Sequence, residues 1–140
     1  MYDRLLEYIN KNNILFQNQY GFREKQSTFM DLLKLIDDIS NEVNNTIYSV
    51  GIFIDLWKAF DTVDHSVLIK TLQHYGVRGI VADSFASYLA NRSQYVKIDD
   101  TSSALLNVSC GVPQGSILDP LLFIIYYYYY YYYYYYYYYY

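Results

Sequence analysis

An α+β fold, a small sheet backed by helices, is what this sequence predicts, and three observations predict it. Apolar residues recur at helical spacing in stretches bounded by capping or chain-breaking residues. A nearly continuous apolar run, residues 48–54, is rich in β-branched and aromatic side chains. Two further apolar runs flank a polar turn at residues 99–103. Helices and strands mixed in this order pack as a sheet covered by helices. At 140 residues the chain has room for one domain, one that buries about two thirds of its unfolded surface.

The elements follow in order. Leu5, Leu6 and Ile9 predict a short helix that Asn12 and Asn13 stop. A charged, glycine-containing loop comes next, and Ser27 and Thr28 then cap a helix through Val43 with an apolar stripe of Met30, Leu33, Ile36, Ile39 and Val43. Residues 48–54 predict a strand covered on both faces, running into Asp55. Asp64 caps a helix carrying Val67, Leu68, Leu72 and Tyr75, which Gly76 ends, and Gly79 opens another carrying Ile80, Phe85, Tyr88 and Leu89. Residues 95–98 and 104–110 predict two antiparallel strands. Ser116 starts a last helix through Leu118, Leu121, Leu122 and Ile125, with Pro120 tolerated in its first turn.

Composition narrows the function. The formal net charge is −4, which argues against a protein that holds nucleic acid by bulk electrostatics. The cations available locally are scattered: Arg23 and Lys25, then Lys58, Lys70, Arg78, Arg92 and Lys97. A lone cysteine, Cys110, rules out an internal disulfide and fits a reducing intracellular compartment, and the mixed-charge N-terminus is unlike a secretory signal. Fifteen of the 22 tyrosines form one unbroken run, residues 126–140. So many hydroxyls suit hydrocarbon poorly, so no membrane span is expected there.

Four stretches then match one family together: QYGFREKQST, FIDLWKAFDTVDH, VPQGSILDPLLF, and the intervening QHYGVRG with SYLANRSQYV. In order and spacing they resemble the fingers and palm of reverse transcriptases from non-long-terminal-repeat retrotransposons, over nearly all of residues 1–125. The resemblance implies a partial fingers segment in residues 1–46, a partial palm in 47–125 and a low-complexity tail in 126–140. It implies Mg2+ as cofactor, with an RNA template, a DNA primer and a deoxynucleotide as partners.

Polymerisation is phosphoryl transfer assisted by two metal ions, which need hard carboxylate ligands on a rigid element. By resemblance Asp55 is that metal-binding catalytic carboxylate and Phe60 the aromatic that excludes a ribose 2′-hydroxyl. The same resemblance implies that Gln114 and Gly115 line the place where template base and incoming nucleotide pair, and that Arg23 sits near the template or the triphosphate. Asp61 and Asp64 read as helix-start residues, and His65 and His74 as ordinary helix residues.

The sequence also departs from the family. Trp57 stands where relatives usually have a small residue and Asp119 where they usually have glycine. The Tyr/Phe-Ala-Asp-Asp hairpin that completes the metal site is missing, as is the thumb, and the tyrosine run stands in their place. The expectation is therefore a fragment of an RNA-directed DNA polymerase that is inactive by itself. The alternative is a non-catalytic remnant that binds nucleic acid or a partner. A hydrolase built on Cys110 finds no nucleophile motif.

Overall fold

The computed structural model describes residues 1–113 and 115–139. Along them run helices α1 (Tyr2–Lys11), α2 (Thr28–Asn44), α3 (His65–His74) and α4 (Ile80–Leu89), strands β1 (Arg92–Gln94), β2 (Lys97–Ile98), β3 (Thr101–Ser102) and β4 (Leu106–Val108), and helix α5 (Leu118–Tyr139). The fold class is α+β. Contacts divide the chain into two compact units, Leu15–Trp57 and the remainder, Met1–Ile14 with Lys58–Tyr140.

The larger unit holds most of the core. Helix α3 packs on both α4 and α5. Leu68 and Leu72 of α3, Phe85 and Leu89 of α4, and Leu122 and Ile125 of α5 lose nearly all contact with water, as do Leu5 and Ile9 of α1. These are the positions whose 3.6-residue spacing marks an inward stripe. The starts follow from chemistry: the Asp64 carboxylate accepts the Val67 N–H at 2.9 Å and opens α3. Val63, immediately before, is fully buried, so the chain enters the helix from inside the core. Helix α5 carries Pro120 in its first turn, where a missing N–H costs nothing.

Burial between the helices pushes the Tyr75 hydroxyl up to about 12, with Tyr128 and Tyr129 adding to the shift. Its ring meets Tyr129 edge-on at 6.2 Å, so the tyrosine run packs against the C-terminal end of α3.

The strands form two short antiparallel ladders. Arg92 pairs with Val108 and Gln94 with Leu106, while Lys97 pairs with Ser102 and Ile98 with Thr101 across a turn in which Asp99 takes a φ of 49°. Between the ladders two residues, 95 and 96, face three, 103–105. The Ser103 hydroxyl takes the Val96 N–H at 2.9 Å there. A bulge of this kind interrupts pairing and twists a hairpin. It explains why the predicted runs 95–98 and 104–110 become two pieces, and why pairing reaches back to Arg92. These strands are mostly exposed, and the buried positions lie chiefly on helices.

In the smaller unit Ser27 caps α2 as expected, its hydroxyl accepting the Met30 N–H at 3.3 Å. The apolar stripe of α2 is nonetheless open, with no residue of the helix buried. The predicted strand at 48–54 is absent: the segment is irregular, with Tyr48 99 % and Phe53 83 % exposed. A strand needs a neighbour for its N–H and C=O groups, and no described segment pairs with this one. Local composition specifies a strand's preference but not its partner.

Two outcomes test this packing. Phe85→Ala removes a fully buried ring and should lower the unfolding free energy of the chain by about 3–5 kcal/mol in a urea titration. The Ser66 hydroxyl and then the Val67 N–H hold the Asp64 carboxyl below its ordinary 3.8. Because its folded value is depressed, its stabilisation is present above pH about 4 and is lost as pH falls through the folded value. Asp64→Asn keeps a capping acceptor that cannot titrate. It should flatten the fall of stability below pH about 4 while leaving neutral stability nearly unchanged.

Candidate functional site

The candidate site grows from the stretch that follows Asp55. A tight turn begins at Lys58, whose carbonyl accepts the N–H groups of Asp61 at 2.9 Å and Thr62 at 3.1 Å. This turn presents the Phe60 and Asp61 backbone to the chain arriving from β4. The Gly111 N–H donates to the Val63 carbonyl at 2.7 Å and the Val112 N–H to the Phe60 carbonyl at 2.9 Å. Gly111 has a φ of +86°, and a Cβ there would lie 3.0 Å from Asp61 Cα and O. Only glycine permits both that backbone conformation and that approach. A ring nitrogen of His65, Nε2, lies 2.7 Å from the Gly111 carbonyl and adds a third tie.

The far end of the same loop is tied as well. Asp119 is 1 % exposed. Its Oδ1 accepts the Tyr88 hydroxyl at 3.1 Å and its Oδ2 the Ser116 N–H at 3.2 Å. The Tyr88 hydroxyl also lies 3.1 Å from the Ser116 hydroxyl, and the Arg92 guanidinium sits 5.2 Å over the Tyr88 ring. A buried carboxylate is tolerated when it is hydrogen-bonded and near a helix N-terminus, and Asp119 meets both conditions. The departure from glycine at this position is thus accommodated. Gly111 and Val112 are thus anchored at the start of α3, and Ser116 is tied to α4 through Tyr88.

The predicted site residues divide between the units. Phe60 belongs to the larger one. Its half-buried ring stacks on Phe123 of α5, centroids 4.5 Å apart, and Phe123 stacks in turn on Tyr127 at 6.0 Å. Gly115, with a φ of +101° and open space around its Cβ position, lies in the anchored loop. Gln114 lies outside the described residues. Phe60 and the loop are therefore brought together.

Asp55 and Arg23 belong to the smaller unit. Asp55 does not end a buried strand as expected. It is exposed on the irregular segment, and its carboxylate has no partner among the described residues. The Arg23 guanidinium donates to the Phe16 carbonyl at 2.9 Å and so closes its own loop. Nearby in that loop Gln26 Oε1 is buried without a hydrogen-bond partner among the described residues, an acceptor open to a donor. No group of three or more His, Cys, Asp or Glu that could hold a metal ion occurs among the described residues. Asp55 offers one hard oxygen ligand, and the described residues do not by themselves fit a pair of magnesium ions.

Sequence reasoning passed over His65, Tyr88 and Asp119 as parts of this site. The signal available was the Ser116/Asp119 pair at a helix start, a spacing at which a side chain reaches a free N–H. The long-range partners Tyr88 and Gly111 leave no local mark.

Comparison with known proteins places this geometry. The chain is 33 % identical over 127 residues to a probable RNA-directed DNA polymerase from transposon BS of Drosophila melanogaster. It is 30 % identical over 122 residues to the RNA-directed DNA polymerase from mobile element jockey, and 32 % over 123 residues to a probable one from transposon X-element, both of the same fly. Each match covers 86 % of this chain and 13 % of the relative, so the chain spans about an eighth of the curated relatives it matches. No solved structure matches it. No described helix is long and apolar enough to cross a membrane. The family model for reverse transcriptase (RNA-dependent DNA polymerase) matches residues 1–131, and the chain belongs to that family.

Proposed function

We propose that the chain is part of an enzyme of template-directed deoxynucleotidyl transfer, and that Phe60 with the 111–116 loop forms its nucleotide-facing surface. The observation that supports this most is the Val112 N–H bond to the Phe60 carbonyl at 2.9 Å. It holds the Phe60 main chain against Val112, which supports one surface for both sugar and base pair. Phe60 excludes a 2′-hydroxyl by occupying its space, and Gln114 and Gly115 line the base pair. Arg23 meets phosphate of the template or the triphosphate, and Asp55 contributes one carboxylate to a divalent-metal site. The partners are an RNA template, a DNA primer and a deoxynucleotide inside the cell. Residues 1–46 are part of the fingers, 47–125 part of the palm and 126–140 a low-complexity tail. Asp55 by itself cannot hold two metal ions, so the 140-residue polypeptide assayed alone is expected to make no DNA.

Three experiments test this reading. Titrating the labelled chain with an RNA–DNA template–primer and a deoxynucleotide should shift the amide signals of Phe60, Gly111, Val112 and Gly115. Phe60→Ala should abolish the difference between deoxynucleotide and ribonucleotide. Shifts confined to other residues, or discrimination that survives the substitution, would reject the site.

Primer extension with magnesium should yield no product. Synthesis that disappears in Asp55→Asn would overturn the claim of inactivity while leaving the family intact.

The loop's anchoring has its own check. Gly111→Ala and Gly115→Ala both place a side chain at positive φ, but only the first meets backbone within 3.0 Å. Gly111→Ala should be the more destabilising by about 1–3 kcal/mol, the usual penalty of overpacking, read from the midpoints of urea unfolding.

A further inference from the structure

A cleft of about 600 Å³ opens in the larger unit, away from Phe60 and the 111–116 loop. One wall is α1, through Met1, Arg4, Leu5 and Tyr8; the other is the turn before α4 and its first half, through Arg78, Ile80, Val81 and Phe85. Each wall is a set of i, i+4 ridges, Met1 with Leu5 and Arg4 with Tyr8 on one side, Ile80 with Ser84 and Val81 with Phe85 on the other. Ridges of this periodicity are what a further helix packs its own ridges against.

Three features make this surface unlike ordinary exposed side chains. Large apolar residues converge on it while open to water, with Ile80 85 %, Val81 54 % and Met1 54 % exposed. The floor is rigid, because Phe85 is fully buried and Leu5 nearly so. Tyr8 is fixed by its hydroxyl bond to the Tyr75 carbonyl at 2.9 Å. Two guanidiniums, Arg4 and Arg78, lie in the lining, one on each wall, with no partner among the described residues. The acidic side chains of the same two helices, Asp3, Glu7 and Asp83, are absent from the lining, so the cleft is locally cationic on a chain of net charge −4.

We propose that this cleft docks an acidic amphipathic helix of a partner protein, its apolar stripe seated between α1 and α4 and its carboxylates on Arg4 and Arg78. The most exposed apolar groups of the lining, Met1, Ile80 and Val81, are aliphatic and Tyr8 is its one exposed aromatic ring, which favours a peptide over single-stranded nucleic acid, since that needs successive open aromatic faces for stacking and a longer run of cations. The guanidinium fork suits bidentate pairing with a carboxylate. The assignment is independent of the polymerase reading, because none of its residues belongs to the nucleotide-facing surface.

The test uses the whole 140-residue chain and a fluorescent synthetic helix with Leu at i, i+3, i+4 and i+7 and Glu at the flanking positions. Two further probes are the same helix with Lys replacing Glu, and an oligodeoxythymidylate. The Glu helix should bind, the Lys helix about ten-fold or more weaker, and the oligonucleotide not at all. Arg4→Glu and Arg78→Glu should each weaken the Glu helix about ten-fold and reduce its salt dependence, and Ile80→Asp should abolish binding. These three positions are exposed, so the variants keep the fold, which circular dichroism checks. Amide shifts in the unaltered chain should fall on residues 76–84. Oligonucleotide binding through Arg4 and Arg78 would overturn the proposal in favour of nucleic acid. No binding of the Glu helix, equal binding of both helices, or binding indifferent to the substitutions would overturn it outright.

Discussion

The approach of Gly111 to the backbone of Phe60 and Asp61 is the constraint on which the candidate site depends. Two main-chain hydrogen bonds, from Gly111 to Val63 and from Val112 to Phe60, join segments about fifty residues apart in sequence. They bring the returning chain close enough that a single methyl group at Gly111 would strike main-chain atoms. Everything downstream follows from that register. Val112 is placed in the core, His65 comes within reach of the Gly111 carbonyl, and the loop must leave in the direction of α4 and α5. Main-chain bonds of this kind do not depend on the side chains nearby, so the loop can vary its contacting groups without losing its position.

Most of the helical part of this fold is legible in the sequence, because helices declare themselves locally. Ser27 and Asp64 cap as their positions predict, and the stripes of α1, α3, α4 and α5 point into the core. The strands are less legible. Residues 48–54 carry the composition of a buried strand, yet without a paired neighbour the segment is irregular and exposed to water. The hairpin was visible, but its division by a bulge at residues 103–105 was not. That division rests on where one serine hydroxyl can reach an N–H, which composition does not encode. For the same reason Asp119 reads in sequence as a departure and in structure as a well-bonded group: its partner Tyr88 is 31 residues away.

The tyrosine run shows how a homopolymer acquires structure from its surroundings. Tyrosine has only middling helix propensity, and a uniform sequence has no apolar face to orient it. Its first residues nonetheless continue α5, and the ring of Tyr126 stacks on that of Tyr130 at 5.9 Å, one helical turn apart. Tyr129 lies against His74 and Tyr75. The buried apolar residues of α5, Leu118, Leu121, Leu122, Ile124 and Ile125, fix where that helix starts and which way it runs, and the tyrosines inherit the direction.

That inheritance bears on Phe60. Its ring is backed by Phe123, which is backed by Tyr127, a column of stacked rings that runs into the tail. A ring that excludes a hydroxyl group by occupying space must resist rotating away, and offset stacking supplies about 1 kcal/mol of resistance beyond burial. Phe123 is held by α5, whose neighbouring residues Leu122 and Ile124 are buried. The orientation of Phe60 therefore rests on core packing, while its main chain rests on the Gly111 approach. Under the proposed function, sugar selection would then draw on both the ring stacking and the main-chain approach. Loosening α5 would relax the ring while the loop stayed in place, and displacing Gly111 would move both.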